Sequence, residues 1–212
     1  MAPVVIVFAK APLPGRVKTR IAAKLGDESA TLLHTAFVED LIRALAPEFH
    51  LELHADIPCD AWPALRVPRR IQIAGDLGGR MKYALEHALD RRHPVAAIVG
   101  SDVPTVPVKH VRELLSLVSS GGADVALGPS RDGGFWGIAA RRLRPNMFHG
   151  VEWSTENSLR QTMTACAACS LSVALAPKWY DVDTMDDLRR LYDDPLVLER
   201  PLTRVLLESL LS

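Results

Sequence analysis

The run Val4-Val5-Ile6-Val7-Phe8 constrains this chain more than any other segment. It offers no polar face and is rich in β-branched residues, so it predicts a short strand covered on both sides. Ile71–Ala74, Val95–Val99 and Val125–Leu127 read the same way over shorter stretches. Helical patterns lie between them. Ala30–Leu45 repeats apolar residues at Leu33, Phe37, Leu41 and Leu45, which keeps one face inward. Arg80–Leu89 and Val108–Val118 show matching stripes. Strands alternating with helices imply a mostly parallel mixed sheet with helices on both faces, an α/β fold in three α/β/α layers.

The second half is less regular. Asp124–Leu127 and Phe135–Ala139 flank Pro129-Ser130-Arg131-Asp132-Gly133-Gly134, a return between two strands. Thr155–Ala165 reads as a helix, Leu171–Ala176 as a strand, and Thr184–Tyr192 and Leu202–Leu211 as helices. No repeat or linker interrupts the chain, so one domain is expected over residues 1–212, closed by a C-terminal helix at about 196–211. That helix has a broad apolar surface, which either packs on the domain or makes a homodimer.

Lys+Arg and Asp+Glu are both 25, so no overall basic field exists to hold a nucleic-acid backbone. The N-terminus lacks the features of a secretory signal, and no apolar run approaches the ~20 residues that span a bilayer. Cys59, Cys166 and Cys169 make no disulfide framework, which fits the cytoplasm. Cys166 and Cys169 form a lone C-x-x-C without a second ligand pair, better read as two small thiols than as a metal site.

Ligands of open α/β sheets bind beyond the carboxyl ends of the strands, so the segments after each strand carry the candidates. After Val4–Phe8 come Lys10, Arg16, Lys18 and Arg20, four cations in eleven residues of a net-neutral chain. Two prolines and Gly15 shape this loop, which enters a helix near Lys18. Phosphate binding and a solvated basic turn both fit it. Neither Walker A nor G-x-G-x-x-G is present. Gly75-Asp76-Leu77-Gly78-Gly79-Arg80 is either a strand-to-helix turn or a backbone platform for a ligand. Gly100-Ser101-Asp102-Val103-Pro104 leaves Asp102 at the sheet's edge, too early to cap the helix that Pro107 begins, and suited to Mg²⁺. In Tyr180-Asp181-Val182-Asp183-Thr184, Thr184 and Asp187 resemble a capping box; Asp183, and less directly Asp181, are candidates for a second metal carboxylate. Arg131-Asp132-Gly133-Gly134 is a hairpin turn or part of a pocket for a second substrate. Ser154, in Trp153-Ser154-Thr155, reads as an N-cap, with a functional hydroxyl as the alternative.

Together these motifs resemble the radical SAM/selenodomain-associated transferases, bacterial proteins of the GT-A fold in the nucleotide-diphospho-sugar transferase superfamily. The resemblance runs from about Val4 to Leu191. It is carried by F-A-K-A-P-L-P-G-R-V-K-T-R, G-D-L-G-G-R-M, G-S-D-V-P-T, G-P-S-R-D-G-G-F-W, W-S-T and D-V-D-T. It implies nucleotide contacts from Phe8, Ala9, Lys10, Gly15, Arg16, Lys18 and Arg20, and from Gly75, Gly78, Gly79 and Arg80. It implies Mg²⁺ or Mn²⁺ on Asp102 and Asp183, and an acceptor near Asp132, Gly133, Gly134, Trp153, Ser154 and Thr155. One departure stands out: glycosyltransferases of this fold often show D-x-D where Ser101-Asp102-Val103 offers one carboxylate.

The expected reaction is nucleotidyl transfer, with Arg16, Lys18 and Asp102 as the catalytic set. An NTP would react with a phosphorylated small molecule, whose nucleophile is already ionised near neutral pH and needs no general base. Glycosyl transfer from a nucleotide-sugar is the alternative, with Asp132 as a candidate base. A non-catalytic nucleotide-binding module is the third reading. The partners are a nucleotide and a small-molecule acceptor, with neither nucleic acid nor membrane.

Overall fold

The structure is a computed structural model that describes residues 2–211; Met1 and Ser212, included in the expected domain 1–212, lie outside the described residues. Seven strands form one mixed sheet in the order β3-β2-β1-β4-β6-β5-β7. They are β1 (Val4–Ala9), β2 (His50–Ala55), β3 (Arg69–Ile71), β4 (Ala96–Gly100), β5 (Val125–Pro129), β6 (Phe135–Ala140) and β7 (Val173–Leu175). The helices are α1 (Thr19–Leu25), α2 (Asp27–Leu45), α3 (Leu77–Asp90), α4 (Val108–Ser119), α5 (Ser158–Ala168), α6 (Met185–Asp193) and α7 (Pro201–Leu211). A short 3₁₀ turn, Pro195–Glu199, precedes α7. This is the expected three-layer α/β/α architecture. β6 pairs antiparallel with β4 and β5, while β2–β3 and β5–β7 are parallel.

The chain divides into two compact units. One comprises residues 2–6, Gln72–Val99 and Val108–Tyr180. Its core is built from Ala96–Val99, Val125–Leu127 and Ile138–Ala140, sealed by Val111, Leu114 and Val118 of α4. The other comprises Val7–Ile71, Gly100–Pro107 and residues 181–211. Here α2 packs against α1 and α7, and Leu33, Phe37, Leu41 and Leu45 are all fully buried, as their four-residue spacing requires. Asp40, on the same helix, is buried too. Its carboxylate accepts from the backbone N–H of Thr203 at 2.7 Å and of Leu202 at 3.4 Å, capping α7 from outside it.

Two strands depart from expectation. β2 alternates His50, Glu52 and His54 with Leu51, Leu53 and Ala55, yet Glu52 and His54 are buried as well as the apolar face. Their polarity is satisfied locally: Glu52 meets His54 Nε2 at 3.0 Å and accepts from Arg70 Nε at 3.1 Å. The strand expected at Ile71–Ala74 lies at Arg69–Ile71, because its register is set by β2, with His54 opposite Arg70. Ile71 and Ile73, the apolar pair that suggested a buried strand, are exposed. Among the described residues, no helix is long and apolar enough to cross a membrane.

Candidate functional site

The loop after β1 belongs to the second unit, and its shape is local chemistry. Gly15 adopts φ 76°, a left-handed turn that favours glycine. Leu13 N–H returns to Ala11 O at 2.8 Å and Arg16 N–H to Leu13 O at 3.1 Å, which closes the Pro12–Gly15 bend. Asp56, one residue past β2, then ties both ends of the loop. One carboxylate oxygen accepts from Ala11 N–H at 2.6 Å, and the other pairs with the Arg16 guanidinium at 3.1 Å. Beneath the loop, buried His34 on α2 meets Lys10 O through Nε2 at 2.9 Å, and burial lowers the pKa of its ring. Phe8, at the end of β1, stacks on His54 with ring centroids 5.7 Å apart.

At the end of this loop, Lys18 stands immediately before α1 with φ 47°, a left-handed conformation uncommon for a residue with a Cβ. Its side chain makes no helix cap and turns inward over the Phe37 ring, 5.4 Å from the centroid. The ammonium donates to Asp102 Oδ1, to Val182 O at 2.6 Å and to Asp183 Oδ1 at 3.1 Å. Lys18 is thus the ammonium between the two carboxylates singled out from the sequence. Its side chain is 2% exposed, against 49% for Asp102 and 44% for Asp183. Burial opposes charge on Lys18, but the two carboxylates outweigh it and hold its pKa above the ordinary lysine value. Asp102 mirrors this: burial would raise its pKa, and the Lys18 charge and hydrogen bond hold it below the usual carboxylate value.

The backbone under each carboxylate is fastened. Val182 N–H donates to Asp102 O at 2.8 Å, and Ser101 N–H to Phe8 O at 3.1 Å. Buried Arg200, just before α7, donates from Nε to Pro104 O at 2.7 Å, and Thr105 Oγ1 donates to Asp194 at 3.1 Å. Asp183 sits ahead of α6, where Thr184 and Asp187 form the expected capping box. Each carboxylate directs one oxygen at Lys18 and presents its remaining surface to solvent. Among the described residues, no group of three or more His, Cys, Asp and Glu could hold a metal ion. Two half-exposed carboxylates do fit a hard cation whose other ligands come from phosphate and water.

Of the remaining cations of the loop, Arg16 is bound to Asp56 and half exposed, while Lys10 and Arg20 are exposed. Asp56, His34 and Arg200 were not identified from the sequence, and Phe37 was read only as a core residue of α2. Asp56 had one available signal, a carboxylate directly after a strand end, which was hidden because β2 itself was not recognised.

The other unit holds the remaining candidates. Asp76 caps α3 by accepting from Gly79 N–H at 2.7 Å, so Gly78, Gly79 and Arg80 form the first turn of a helix. A Cβ on Gly78 would lie 2.6 Å from Trp153 Cζ2, so that glycine admits the indole. Trp153 also packs edge-on against Phe135 and Phe148. Gly75 has φ 122° and open space where a Cβ would stand. Arg80 donates to Gln72 at 3.2 Å. Asp132 accepts from Gly134 N–H at 2.9 Å and from Ser130 Oγ, inside the β5–β6 hairpin turn. Gly133 packs so tightly on Glu156 that a Cβ would fall 2.1 Å from its carbonyl oxygen. Ser154 is not an N-cap: α5 begins at Ser158, after Asn157, and Ser154 is exposed with φ 62°. Thr155 Oγ1 donates to Glu152 O at 2.9 Å within the same turn. All three cysteines are free thiols.

Residues 34–155 match the family DUF2064, described as an uncharacterized protein conserved in bacteria. A crystal structure from Desulfovibrio desulfuricans G20, of a protein provisionally assigned as a nucleotide-diphospho-sugar transferase, is 30% identical to the chain. It superposes with a TM-score of 0.88 over 99% of this chain and 95% of that one. Two more distant structures share the fold alone. CMP:2-keto-3-deoxy-manno-octonic acid synthetase complexed with CTP is 11% identical, with a TM-score of 0.58 over 90% of this chain and 97% of that one. A cytidylyltransferase from Leptospira borgpetersenii serovar Hardjo-bovis is 15% identical, with a TM-score of 0.55 over 90% and 85%. No curated protein matches the chain.

These findings bear out the GT-A-like fold of nucleotide-diphospho-sugar transferases and correct the family expected from the motifs. The resemblance to radical SAM/selenodomain-associated transferases fails because no radical-SAM signature or iron–sulfur motif is present, and the described residues hold no cluster of ligands for such a centre. Six motifs in order identified a fold and were over-read as a named subgroup of it.

Proposed function

This chain belongs to the DUF2064 family, and on that footing we propose that it is a cytoplasmic, nucleotide-utilising transferase that joins an NTP to a phosphorylated small molecule and releases pyrophosphate. One observation carries the reading. A buried ammonium and two half-exposed carboxylates converge beside a basic loop at the carboxyl end of β1. The 30%-identical structure, assigned as a nucleotide-diphospho-sugar transferase, supports transfer chemistry on nucleotides.

The roles follow from charge and position. Arg16 and Lys10 face solvent from the loop and bind the polyphosphate; Asp56 orients Arg16 and holds the loop at Ala11. Mg²⁺ or Mn²⁺ on Asp102 and Asp183 supplies neutralisation of charge on the phosphate oxygens. Lys18 supplies a positive charge at the same place. A phosphate oxygen of the acceptor attacks the α-phosphorus, the bond from that phosphorus to the bridging oxygen breaks, and pyrophosphate leaves with the electron pair. No proton has to be removed, so positioning and electrostatics carry the rate. The assignments of Phe8, Ala9, Gly15, Arg20, Gly75, Gly78, Gly79 and Arg80 to the nucleotide rest on the motifs alone. So do those of Asp132, Gly133, Gly134, Trp153, Ser154 and Thr155 to the acceptor.

The test is incubation with Mg²⁺ and each NTP, with and without a panel of sugar phosphates. Pyrophosphate release that depends on the added phosphate supports the proposal. Release of NDP from UDP- or GDP-sugars instead assigns glycosyl transfer, and nucleotide binding without turnover assigns a non-catalytic module.

A further inference from the structure

An ammonium has three N–H donors, and Lys18 has three acceptors: Asp102 Oδ1, Val182 O and Asp183 Oδ1. All of its hydrogen-bonding capacity is used inside the protein. Its position is imposed by the backbone, since Lys18 holds a left-handed φ of 47° at the start of α1 and forgoes a cap there. The side chain is 2% exposed, while the carboxylates it joins are 49% and 44% exposed. The ammonium therefore approaches the carboxylates from the protein side and a dissolved cation from the solvent side. Both cations draw on the same two negative charges.

We infer that Lys18 is a built-in counter-ion competing with the divalent cation for Asp102 and Asp183, so that the metal is taken up together with the nucleotide rather than before it. The inference rests on the metal part of the proposed function. A dication arriving alone meets carboxylates already neutralised by half and an ammonium within a few ångströms, where repulsion is large. A polyphosphate changes both terms. It offers acceptors that draw Lys18 partly away from the carboxylates, and its oxygens complete the coordination of a hard cation. Each ligand then favours the other's binding by the same factor, because linkage is reciprocal.

The probe is Mn²⁺ alone, with its free concentration read by electron paramagnetic resonance on the full chain. Lys18→Met removes the charge, and Lys18→Gln removes it while keeping a donor for Val182 O; circular dichroism selects the variants that are folded. The expected result is that a folded variant binds Mn²⁺ about tenfold tighter than wild type or better, a change of about 1.4 kcal/mol. Adding Asp102→Asn should abolish that gain. Equal or weaker binding by the variants overturns the inference and leaves the proposed reaction standing. Absence of Mn²⁺ binding dependent on Asp102 in every protein, with or without NTP, removes the metal reading and the inference with it. An independent measurement needs no variant. Wild-type affinity for a non-hydrolysable NTP should be at least about tenfold tighter with Mn²⁺ than without it, and an affinity unchanged by Mn²⁺ overturns the joint uptake.

Discussion

Replacing Asp102 by Asn separates what this carboxylate does for the fold from what it does for chemistry. Lys18 keeps Val182 O at 2.6 Å and Asp183 Oδ1 at 3.1 Å, and the new amide oxygen can still accept. What disappears is one of two negative charges beside a buried ammonium. The ammonium still donates to the amide oxygen, so the bond stays charge-assisted, and what is lost is the charge–charge attraction, about 1–2 kcal/mol for a well-placed pair. Asp102 is 49% exposed, so solvent screening cuts that attraction to about 1 kcal/mol. For a chain of this size that is a fall in Tm of about 2–4 °C. The cost should also depend on pH. The folded carboxyl has a lowered pKa, so between that value and the unfolded value of about 3.9 the unfolded state binds more protons. The contribution of Asp102 is complete above about pH 4 and is lost as pH falls through the folded pKa. Lys18 has a raised pKa, so its contribution is complete below about 10.4 and fades as pH rises through the higher folded value. Differential scanning fluorimetry and urea titration from about pH 3 to 7 measure the Asp102 part, extension above about pH 10.4 measures the Lys18 part, and pyrophosphate release should drop at least about 100-fold in the same variant. A Lys18→Met, Asp102→Asn double-mutant cycle should give a coupling of about 1 kcal/mol. Strict additivity, or global unfolding of Asp102→Asn, would refute the reasoning.

Asp40→Ala should cost about 1–2 kcal/mol, because it strips the cap from α7 and leaves the buried Thr203 N–H and the part-buried Leu202 N–H without that acceptor. An unchanged urea midpoint would count against that cap. Burial lowers the pKa of His34, so below about pH 6.5 the unfolded state takes up more protons and the contribution of His34 shrinks as pH falls. The stability gap between wild type and His34→Phe should therefore narrow from pH 7.5 to pH 5, and a gap constant with pH would contradict this. Burial pushes the Cys166 thiol up to about 11, and its Sγ donates to Met147 O at 3.6 Å. Iodoacetamide at pH 8 should therefore modify half-buried Cys59 and Cys169 first, and early labelling of Cys166 in peptide maps would be the contrary result.

The motifs themselves were informative to different depths. Asp102 and Asp183 were identified as a pair from their places after a strand and before a helix, and the structure brings both to one ammonium. Lys18 was expected among phosphate ligands, and its bonds to those carboxylates were not foreseen. A left-handed backbone at a lysine and an inward side chain leave no trace in a basic loop sequence. Glycine motifs were ambiguous for a related reason. Gly78 and Gly133 are spaces for Trp153 and Glu156, partners more than twenty residues away in the chain.

Patterns with a short period were decided by the sequence alone. The apolar run of β1, the four-residue stripe of α2 and the capping box of α6 depend on neighbours in the chain, so residue order suffices. Tertiary structure decided everything that requires a distant partner. The buried polar strand β2 is tolerated because Arg70 answers Glu52, the register of β3 follows β2, and α7 takes its cap from Asp40. The ammonium between Asp102 and Asp183 is the same kind of fact. Its three acceptors lie 84 to 165 residues away along the chain, and only the folded backbone makes them neighbours.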